Sequence, residues 1–279
     1  MQTKTLVEGL CFAEGPRWHE DRLWFSDMHD HQVYAADMNG NLETIIHVPE
    51  QPSGLGWLPD GRLLIVSMLD RKLLVLQDGE LSEFADLHEL AKYHCNDMIT
   101  DASGRSYVGN FGFDLHAGDK PCTTSLIMVT AEGNPSIVAD DLSFPNGTVI
   151  TPDGKTMIIG ESMNGQLTAF DINTDGSLTN RRTWAQLDKA IPDGICLDEA
   201  GGIWVASPVS KECLRVVEGS EVTDRVSVEK QAFACMLGGT DRKRLFIMTA
   251  ADSDPDACRA NRSGKIEYVD VDVAGAGLP

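Results

Sequence analysis

The chain has 279 residues, of which 42% are hydrophobic and 24% charged, a composition typical of a folded protein rather than a disordered chain. Its 23 Lys and Arg stand against 43 Asp and Glu, and the formal net charge of −20 repels nucleic-acid phosphates and anionic lipids. We therefore expect no nucleic-acid partner and no membrane partner. No apolar run is long enough to span a bilayer, and residues 1–9 lack the apolar centre of a signal peptide, so we predict a soluble cytoplasmic protein.

Seven cysteines are scattered along the chain, and no two are spaced as C-x-x-C. An odd number without that spacing argues against a disulfide scaffold and against a zinc–thiolate cluster. We predict reduced thiols, several of them small residues of the core.

A repeated unit organises the chain. In residues 55–67 an apolar stretch, a Pro-Asp-Gly turn and a second stretch rich in Leu, Ile and Val predict a β-hairpin. The unit recurs at 149–160 and, with other turn sequences, at 98–105 and 195–205, and two weaker copies lie at 16–25 and 237–247. The spacing of the six copies averages about 44 residues, the length of a four-stranded propeller blade. The residues that open the second strand of the six copies are Arg22, Arg62, Arg105, Lys155, Gly202 and Arg244.

Third and fourth strands are predicted at 72–77 and 80–84, and again at 166–171 and 178–184. Six such units use the whole chain, so we predict an all-β fold, a six-bladed β-propeller with four-stranded blades in a single domain over residues 1–279. Helical periodicity is nearly absent outside residues 87–93. An ordinary β-sandwich is the alternative, but sandwiches do not show sixfold self-similarity.

The innermost strand of each blade lines a central channel, so equivalent positions of the six strands converge on its axis. The residues nine positions before the openings of the second strands are Ser53, Asn96, Asn146, Asp193 and Cys235, and in blade one Glu14 stands eight positions before. Two carboxylates and two amides among these would form a ring of oxygen donors, and converging carboxylates require a cation. Oxygen ligands favour Ca²⁺, Mg²⁺ or Mn²⁺. The alternative is that the Pro-Asn-Gly and Pro-Asp-Gly segments are ordinary turns.

Several of these segments resemble the signatures of the regucalcin/gluconolactonase-like (senescence marker protein) family. The resemblance runs from about residue 9 to residue 266, and its motifs occur in family order. It implies a six-bladed propeller with one divalent cation in the channel and lactone hydrolysis as the activity. Ca²⁺ is the first candidate for the cation, and Mg²⁺, Mn²⁺ and Zn²⁺ are the alternatives. The matching segments are 14–18, 52–57, 96–97, 144–147 and 192–195.

Residue by residue, the resemblance implies Glu14, Asn146 and Asp193 as metal ligands and Asp193 as the general acid/base. Asn96 falls on a position that binds substrate or completes the metal shell. One departure concerns the substrate. Sugar-lactone members commonly carry an Arg two residues before the Asn, where this chain has His94, and a sugar-binding Glu is not evident in residues 109–114. These differences place an aldonolactone substrate in question.

The loops between second and third strands should surround the mouth of the channel. Those at 110–123 and 250–261 are the longest, and we expect them to act as a lid and as specificity elements. Phe111, Phe113, Leu115 and His116 give the first of them an apolar character that suits a substrate less polar than gluconolactone. His29, His94 and Phe113 join Asn96 as candidate substrate contacts, although His29 and His31 also fit a solvated turn or a second metal site.

The sequence therefore predicts a metal-dependent hydrolase that opens the ring of a small-molecule lactone. The cation would polarise the carbonyl, and Asp193 would take a proton from the attacking water and return it to the leaving alkoxide. A phosphotriesterase-like hydrolase and a non-catalytic calcium-binding propeller are the alternatives. The oligomeric state is left open.

Overall fold

The structure is a computed structural model that describes residues 2–278. The chain begins with β1 (Lys4–Leu10), which is followed by six groups of strands. Blade one contains β2 (Ala13–His19), β3 (Arg22–Asp27), β4 (Gln32–Ala36) and β5 (Leu42–His47), and blade two contains β6 (Pro52–Trp57), β7 (Leu63–Ser67), β8 (Lys72–Gln77) and β9 (Glu80–Asp86). Blade three contains β10 (Cys95–Thr100), β11 (Ser106–Asn110), β12 (Thr124–Val129) and β13 (Pro135–Leu142).

The second half of the chain repeats this arrangement. Blade four contains β14 (Pro145–Ile150), β15 (Thr156–Glu161), β16 (Gln166–Ile172) and β17 (Leu178–Gln186), and blade five contains β18 (Ile195–Leu197), β19 (Ile203–Ser207), β20 (Glu212–Val216) and β21 (Val222–Ser227). Blade six contains β22 (Gln231–Gly238), β23 (Arg244–Ala250) and β24 (Gly264–Asp270), with α1 (Pro255–Asn261) between the last two.

The innermost strands form a closed ring. β2, β6, β10, β14, β18 and β22 each contact the next, and β22 contacts β2. Within each blade the strands pair antiparallel in order from the channel outward. The six-bladed propeller with four-stranded blades is therefore confirmed. Residues 1 and 279 of the predicted domain lie outside the described residues, and a single domain over 1–279 stays a prediction.

The ring is closed by a strand that the repeat pattern did not predict. β1 pairs antiparallel with β24 and becomes the outermost strand of blade six, whose order is β1-β24-β23-β22. Without β1, the edge of β24 would present unpaired backbone groups to solvent. The first strand of the chain and the last thus belong to one sheet.

The core lies between neighbouring blades. Trp18 of blade one stacks on Phe246 of blade six, with ring centroids 5.7 Å apart and an angle of 13° between the planes. The middle strands are buried on both faces, as in β7, where Leu64, Ile65 and Val66 are inaccessible to solvent. Since both sheet faces are covered by adjacent blades, these strands carry continuous apolar runs rather than alternating ones.

The helical content differs from the sequence prediction. Residues 87–93 form a single turn, in which the backbone N–H groups of Leu90 and Ala91 both donate to the carbonyl of Leu87. The described α-helix is instead α1, inside a segment predicted as loop. It begins with a capping Asp254, whose side chain accepts from the N–H of Ala257 at 2.9 Å, and with Pro255 at its first position. Within residues 2–278 no helix is long and apolar enough to cross a bilayer.

Candidate functional site

Three of the candidate site residues lie at irregularities of the innermost strands. In β14 three steps along the strand match two steps along β15 between Pro145 and Thr148, which is a β-bulge. Asn146 lies in this bulge, and Glu14 and Asn96 lie at the equivalent bulges of β2 and β10. A bulge turns a side chain away from the normal alternation of the strand, and bulges are frequent next to active sites.

Glycines next to these residues let the inner strands approach one another closely. A Cβ on Gly147 would lie 2.6 Å from the carbonyl oxygen of Asp193, and a Cβ on Gly54 would lie 2.9 Å from the Oδ1 atom of Asp97. No side chain fits at those distances. The Asn-Gly and Ser-Gly pairs therefore serve the close packing of blades around the axis, which explains why they are not ordinary surface turns.

Four side chains meet in one cavity at the mouth of the channel. Glu14, Asn96, Asn146 and Asp193 come from four different blades and all line this cavity, whose volume is about 120 Å³. The first three residues are buried and Asp193 is partly buried. Ser53 and Cys235, at the equivalent positions of the other two blades, are buried and do not line it.

The amide of Asn146 is oriented by a chain of hydrogen bonds. The Oγ of Ser162 donates to the carbonyl oxygen of Pro192 at 2.7 Å, and a carbonyl can only accept. The hydroxyl oxygen is therefore free to accept from the Nδ2 of Asn146, which lies 3.3 Å away. As a result the Oδ1 of Asn146 is left available to a ligand.

The amide of Asn96 is oriented in a similar way. Its Nδ2 donates to the carbonyl oxygen of Pro145 at 3.3 Å, so its Oδ1 is the atom left available. Glu14 accepts one hydrogen bond within the structure, from the backbone N–H of Gly15 to Oε2 at 3.1 Å. The cavity floor thus holds two carboxylates and two amide oxygens that retain lone pairs for a ligand.

The two carboxylates destabilise each other's charged forms. Burial raises the pKa of Glu14 well above its ordinary value, and the neighbouring carboxylate of Asp193 adds to the rise. Desolvation likewise raises the pKa of Asp193, with a contribution from the charge of Asp97. Two such groups remain ionised together only when a positive charge lies between them.

The arginine closest in sequence to the floor is committed elsewhere. The Nη2 of Arg17 lies 2.6 Å from the Oδ1 of Asp97, and the guanidinium also donates to the carbonyls of Pro16 and Met98. Arg17 lines a separate small cavity toward the other end of the channel. Arg17 is therefore ion-paired with Asp97, and its charge lowers the pKa of Glu14 less than burial raises it.

This donor set fits a hard divalent cation. Within residues 2–278 no group of three or more His, Cys, Asp or Glu is arranged to hold a metal. The candidate centre instead combines two carboxylates with neutral amide oxygens, which are Ca²⁺ and Mg²⁺ ligands. Glu14, Asn146 and Asp193 would hold the ion, and Asn96 borders them.

The predicted substrate contacts are placed in different environments. His29 lines the cavity and stacks on Phe12 at 5.0 Å. His94 stacks on Tyr93 at 4.0 Å, and Phe113 packs edge-on against Phe144 at 5.8 Å. Neither His94 nor Phe113 is among the residues that line the cavity.

His29 is a buried, neutral residue rather than part of a solvated turn. Burial lowers the pKa of its imidazole to about 4. Its Nε2 lies 3.3 Å from the carbonyl oxygen of Ser253 and therefore carries the proton, while its Nδ1 is buried without a partner. The ring of His31 contacts the carbonyl of Pro49 and stacks on His47, so the two histidines of this turn contact different groups.

An apolar wall surrounds the space above the polar floor, and of its six residues the sequence pointed only to Phe111. Its residues occupy two registers of the repeat. Three phenylalanines stand two positions before the ring position of their blade. The other three residues directly follow the second strand. The six are Phe12, Phe144 and Phe233 in the first register, and Met28, Met68 and Phe111 in the second.

The two registers are joined by backbone hydrogen bonds. The N–H of Met28 donates to the carbonyl of Phe12 at 3.0 Å, and the N–H of Ser162 donates to that of Phe144 at 3.1 Å. The same bond recurs in blades two and three, where Met68 and Phe111 donate. The repeat alignment that located Glu14 also contained this signal, because three of the six residues two positions earlier are Phe.

The two longest loops reach the cavity. Leu115 and His116 from the 110–123 loop and Ser253 from the 250–261 segment line its mouth. The second segment is anchored to blade one, because both terminal nitrogens of Arg262 bond the carboxylate of Asp30, at 2.9 and 3.1 Å. Both loops are therefore positioned to influence which ligands enter.

Fold and cavity together define a six-bladed β-propeller with a polar ring at one mouth of its channel. The model of the SMP-30/Gluconolactonase/LRE-like region matches residues 12–251. The chain belongs to this family.

Individual relatives agree with the assignment. Regucalcin from Xenopus laevis is 30% identical over 256 residues, which cover 88% of this chain and 85% of that protein. Pentonolactonase XacC from Haloferax volcanii is 25% identical over 292 residues, which cover 100% of this chain and 97% of that protein. The crystal structure of the calcium-binding protein regucalcin from Agrobacterium tumefaciens superposes with a TM-score of 0.83 at 22% identity, covering 100% of this chain and 96% of that one.

Proposed function

We propose that the protein is a metal-dependent hydrolase that opens the ring of a small-molecule lactone. The observation that carries the proposal is the convergence of Glu14, Asn96, Asn146 and Asp193 in one cavity, with two carboxylates whose pKa values are raised by burial. Membership of the family supports it, as does the relative named a pentonolactonase.

Each residue has a distinct part in the proposed reaction. Glu14, Asn146 and Asp193 hold the cation, which when bound polarises the lactone carbonyl and stabilises the negative charge that develops on its oxygen. Asn96, whose Oδ1 is free, orients the substrate. Asp193 accepts a proton from the attacking water and returns it to the alkoxide that leaves as the ring opens.

Two features of the chain favour this chemistry. Burial raises the pKa of both Glu14 and Asp193, and the charge of Asp97, which is paired with Arg17, adds to the rise. The apolar wall lowers the polarity around the floor, which strengthens electrostatic interactions there. Calcium is the proposed ion because of the oxygen donors, and Mg²⁺, Mn²⁺ and Zn²⁺ are to be compared with it.

A calcium-binding protein without catalysis is the second candidate. The same donor set favours it, and the structural relative from Agrobacterium tumefaciens is described as a calcium-binding protein. The two functions share the metal centre and differ in whether Asp193 moves a proton.

The deciding experiment measures proton release from a panel of lactones with metal-stripped protein reconstituted by each of the four cations. Turnover that requires the metal supports the hydrolase. Absence of turnover with every lactone, while calorimetry shows the ion bound, would favour the calcium-binding candidate. A phosphotriester substrate in the same panel tests the alternative of a phosphotriesterase-like hydrolase. The cytoplasmic location stays a prediction. All seven cysteines have free thiols in the structure, as the sequence predicts.

A further inference from the structure

We propose that the substrate is a lactone whose ring carries an alkyl or aryl substituent, rather than a polyhydroxylated sugar lactone. This inference rests on the proposed function and adds the substrate class. It is carried by the contrast between the floor and the walls of the cavity that holds Glu14 and Asp193.

The wall residues present carbon and sulfur atoms to the ligand. Phe12, Met28, Met68, Phe111, Phe144 and Phe233 belong to one buried apolar cluster, and all of them line the cavity. Phe12 packs edge-on against Phe233 at 4.7 Å, and Phe111 packs against Phe144 at 4.5 Å. Aromatic and thioether side chains stabilise an apolar ligand through surface burial and dispersion contacts.

The wall offers few partners to hydroxyl groups. Of the described residues that line the cavity, none is Lys or Arg, and the polar ones above the floor are His29, His116 and Ser253. His29 contributes mainly ring surface, because its Nε2 is taken by the carbonyl of Ser253 and its Nδ1 is buried. Each hydroxyl of a sugar lactone that faced this wall would lose its hydrogen bonds to water without replacement, which is unfavourable.

The size of the cavity agrees with a single substituted ring. Its volume of about 120 Å³ is close to that of an apolar protein cavity of about 150 Å³ that binds benzene. A lactone carbonyl at the floor therefore leaves the rest of the ring against the Phe and Met residues. A substituent would extend toward the mouth, where Leu115 is a partly exposed apolar residue.

The experiment compares kcat/KM for δ-valerolactone, δ-decalactone and gluconolactone, three six-membered lactones that are unsubstituted, alkyl-substituted and polyhydroxylated. We expect δ-decalactone to exceed δ-valerolactone by about tenfold or more, since a hydrophobic pocket discriminates by about that factor per methylene it contacts. We expect gluconolactone to fall below δ-valerolactone.

Variants then connect the preference to the wall. Met68→Gln keeps an unbranched side chain of similar length and introduces an amide, so the ratio of δ-decalactone to δ-valerolactone should fall by about tenfold. Met28→Gln, in another blade, should act in the same direction. Met163→Gln is the matched control, because Met163 is exposed on a loop of blade four and does not line the cavity.

The outcomes separate this inference from the function beneath it. Metal-dependent turnover with gluconolactone preferred, or an unchanged ratio in both folded Met→Gln variants, overturns the apolar substrate class and leaves the lactonase intact. Absence of turnover with all three lactones in the metal-loaded protein overturns both. Thermal melting of each variant establishes that a change in ratio is not caused by misfolding.

Discussion

Asn146 donates a hydrogen bond from its Nδ2 to the Oγ of Ser162, and the two atoms lie 3.3 Å apart. Asn146 lies near the start of β14, and Ser162 directly follows β15, the next strand of the same blade. A candidate metal ligand is therefore oriented by its own blade. The hydroxyl proton of Ser162 is in turn committed to the carbonyl of Pro192 in the adjoining segment. Blades four and five are thereby coupled at the residues expected to hold the ion.

Replacement of Ser162 by Ala should weaken metal binding. The amide of Asn146 would lose the acceptor that fixes its orientation, and loss of such a supporting contact typically reduces metal affinity about 10–100-fold. Calcium titration by calorimetry measures the effect. Ser210→Ala is the control. Ser210 lies on the equivalent loop of blade five, and its Oγ donates to the Oγ of Ser207. Equal affinity in both variants would show that Ser162 does not orient a ligand.

Asp193→Asn should abolish most turnover while the protein still folds. The amide can ligate a cation through its oxygen but cannot take and return a proton, a role worth about 10²–10⁴-fold in rate. Asp153→Asn is a close control, because Asp153 also stands between Pro and Gly but lies in an exposed turn. We expect its kcat within about twofold of the parent. Substantial metal-dependent turnover in Asp193→Asn would remove Asp193 from the proton transfer.

Arg17→Met should destabilise the fold strongly. Asp97 would remain buried with its charge uncompensated, and breaking a buried pair in this way costs about 3–5 kcal/mol in the free energy of unfolding. The double variant Arg17→Met, Asp97→Asn should recover part of the loss. By contrast, Arg62→Met breaks an exposed, solvent-screened pair with Asp60 and should leave the free energy of unfolding nearly unchanged. Urea unfolding compares the three, and a similar loss at both sites would contradict the assignment.

Glu161 should make the protein lose stability in acid. Burial opposes ionisation of Glu161, but hydrogen bonds from Thr168 and Ser143 and the charge of Arg181 outweigh it, so its pKa lies below the ordinary value of 4.5. A carboxylate with a lowered pKa stabilises the folded state above its unfolded pKa, and this contribution is lost as the pH falls through the folded value.

The measurement is the urea midpoint of the parent and of Glu161→Gln between pH 7 and pH 3. The variant should be less stable at neutral pH and should lose less stability on acidification. Glu132→Gln, at an exposed turn, should follow the parent curve. A variant curve parallel to that of the parent would show that Glu161 carries none of the acid sensitivity.

The sequence predicted the blades because their turns are local. Four of the six hairpins turn through Pro-Asp-Gly or Asp-x-x-Gly, which neighbouring residues determine, and six copies of the hairpin in register specify a ring. The closing strand could not be found in this way. The partner of β1 is β24, more than 250 residues away, and β1 carries no turn or alternation that distinguishes it from an isolated strand.

For the candidate site, position along the repeat was more informative than residue type. Glu14, Asn96, Asn146 and Asp193 meet in the cavity because their registers are equivalent. His94 was selected for its side chain and its nearness to Asn96, yet it stacks on Tyr93 outside the cavity lining. Whether these residues bind metal or substrate stays a prediction. Ser162 could not be singled out, since the sequence does not show which loop serine will contact an amide.

The pairing of β1 with β24 has a consequence for biosynthesis. β1 is synthesised more than 250 residues before β24, so it has no partner while the strands between them are made. Blade six gains its outer edge after Gly264–Asp270 has been synthesised. The neighbouring blade one contributes Glu14 to the cavity. The four-stranded sheet of blade six, and with it the pairing of β1 and β24, therefore forms only after the blades between them have been synthesised.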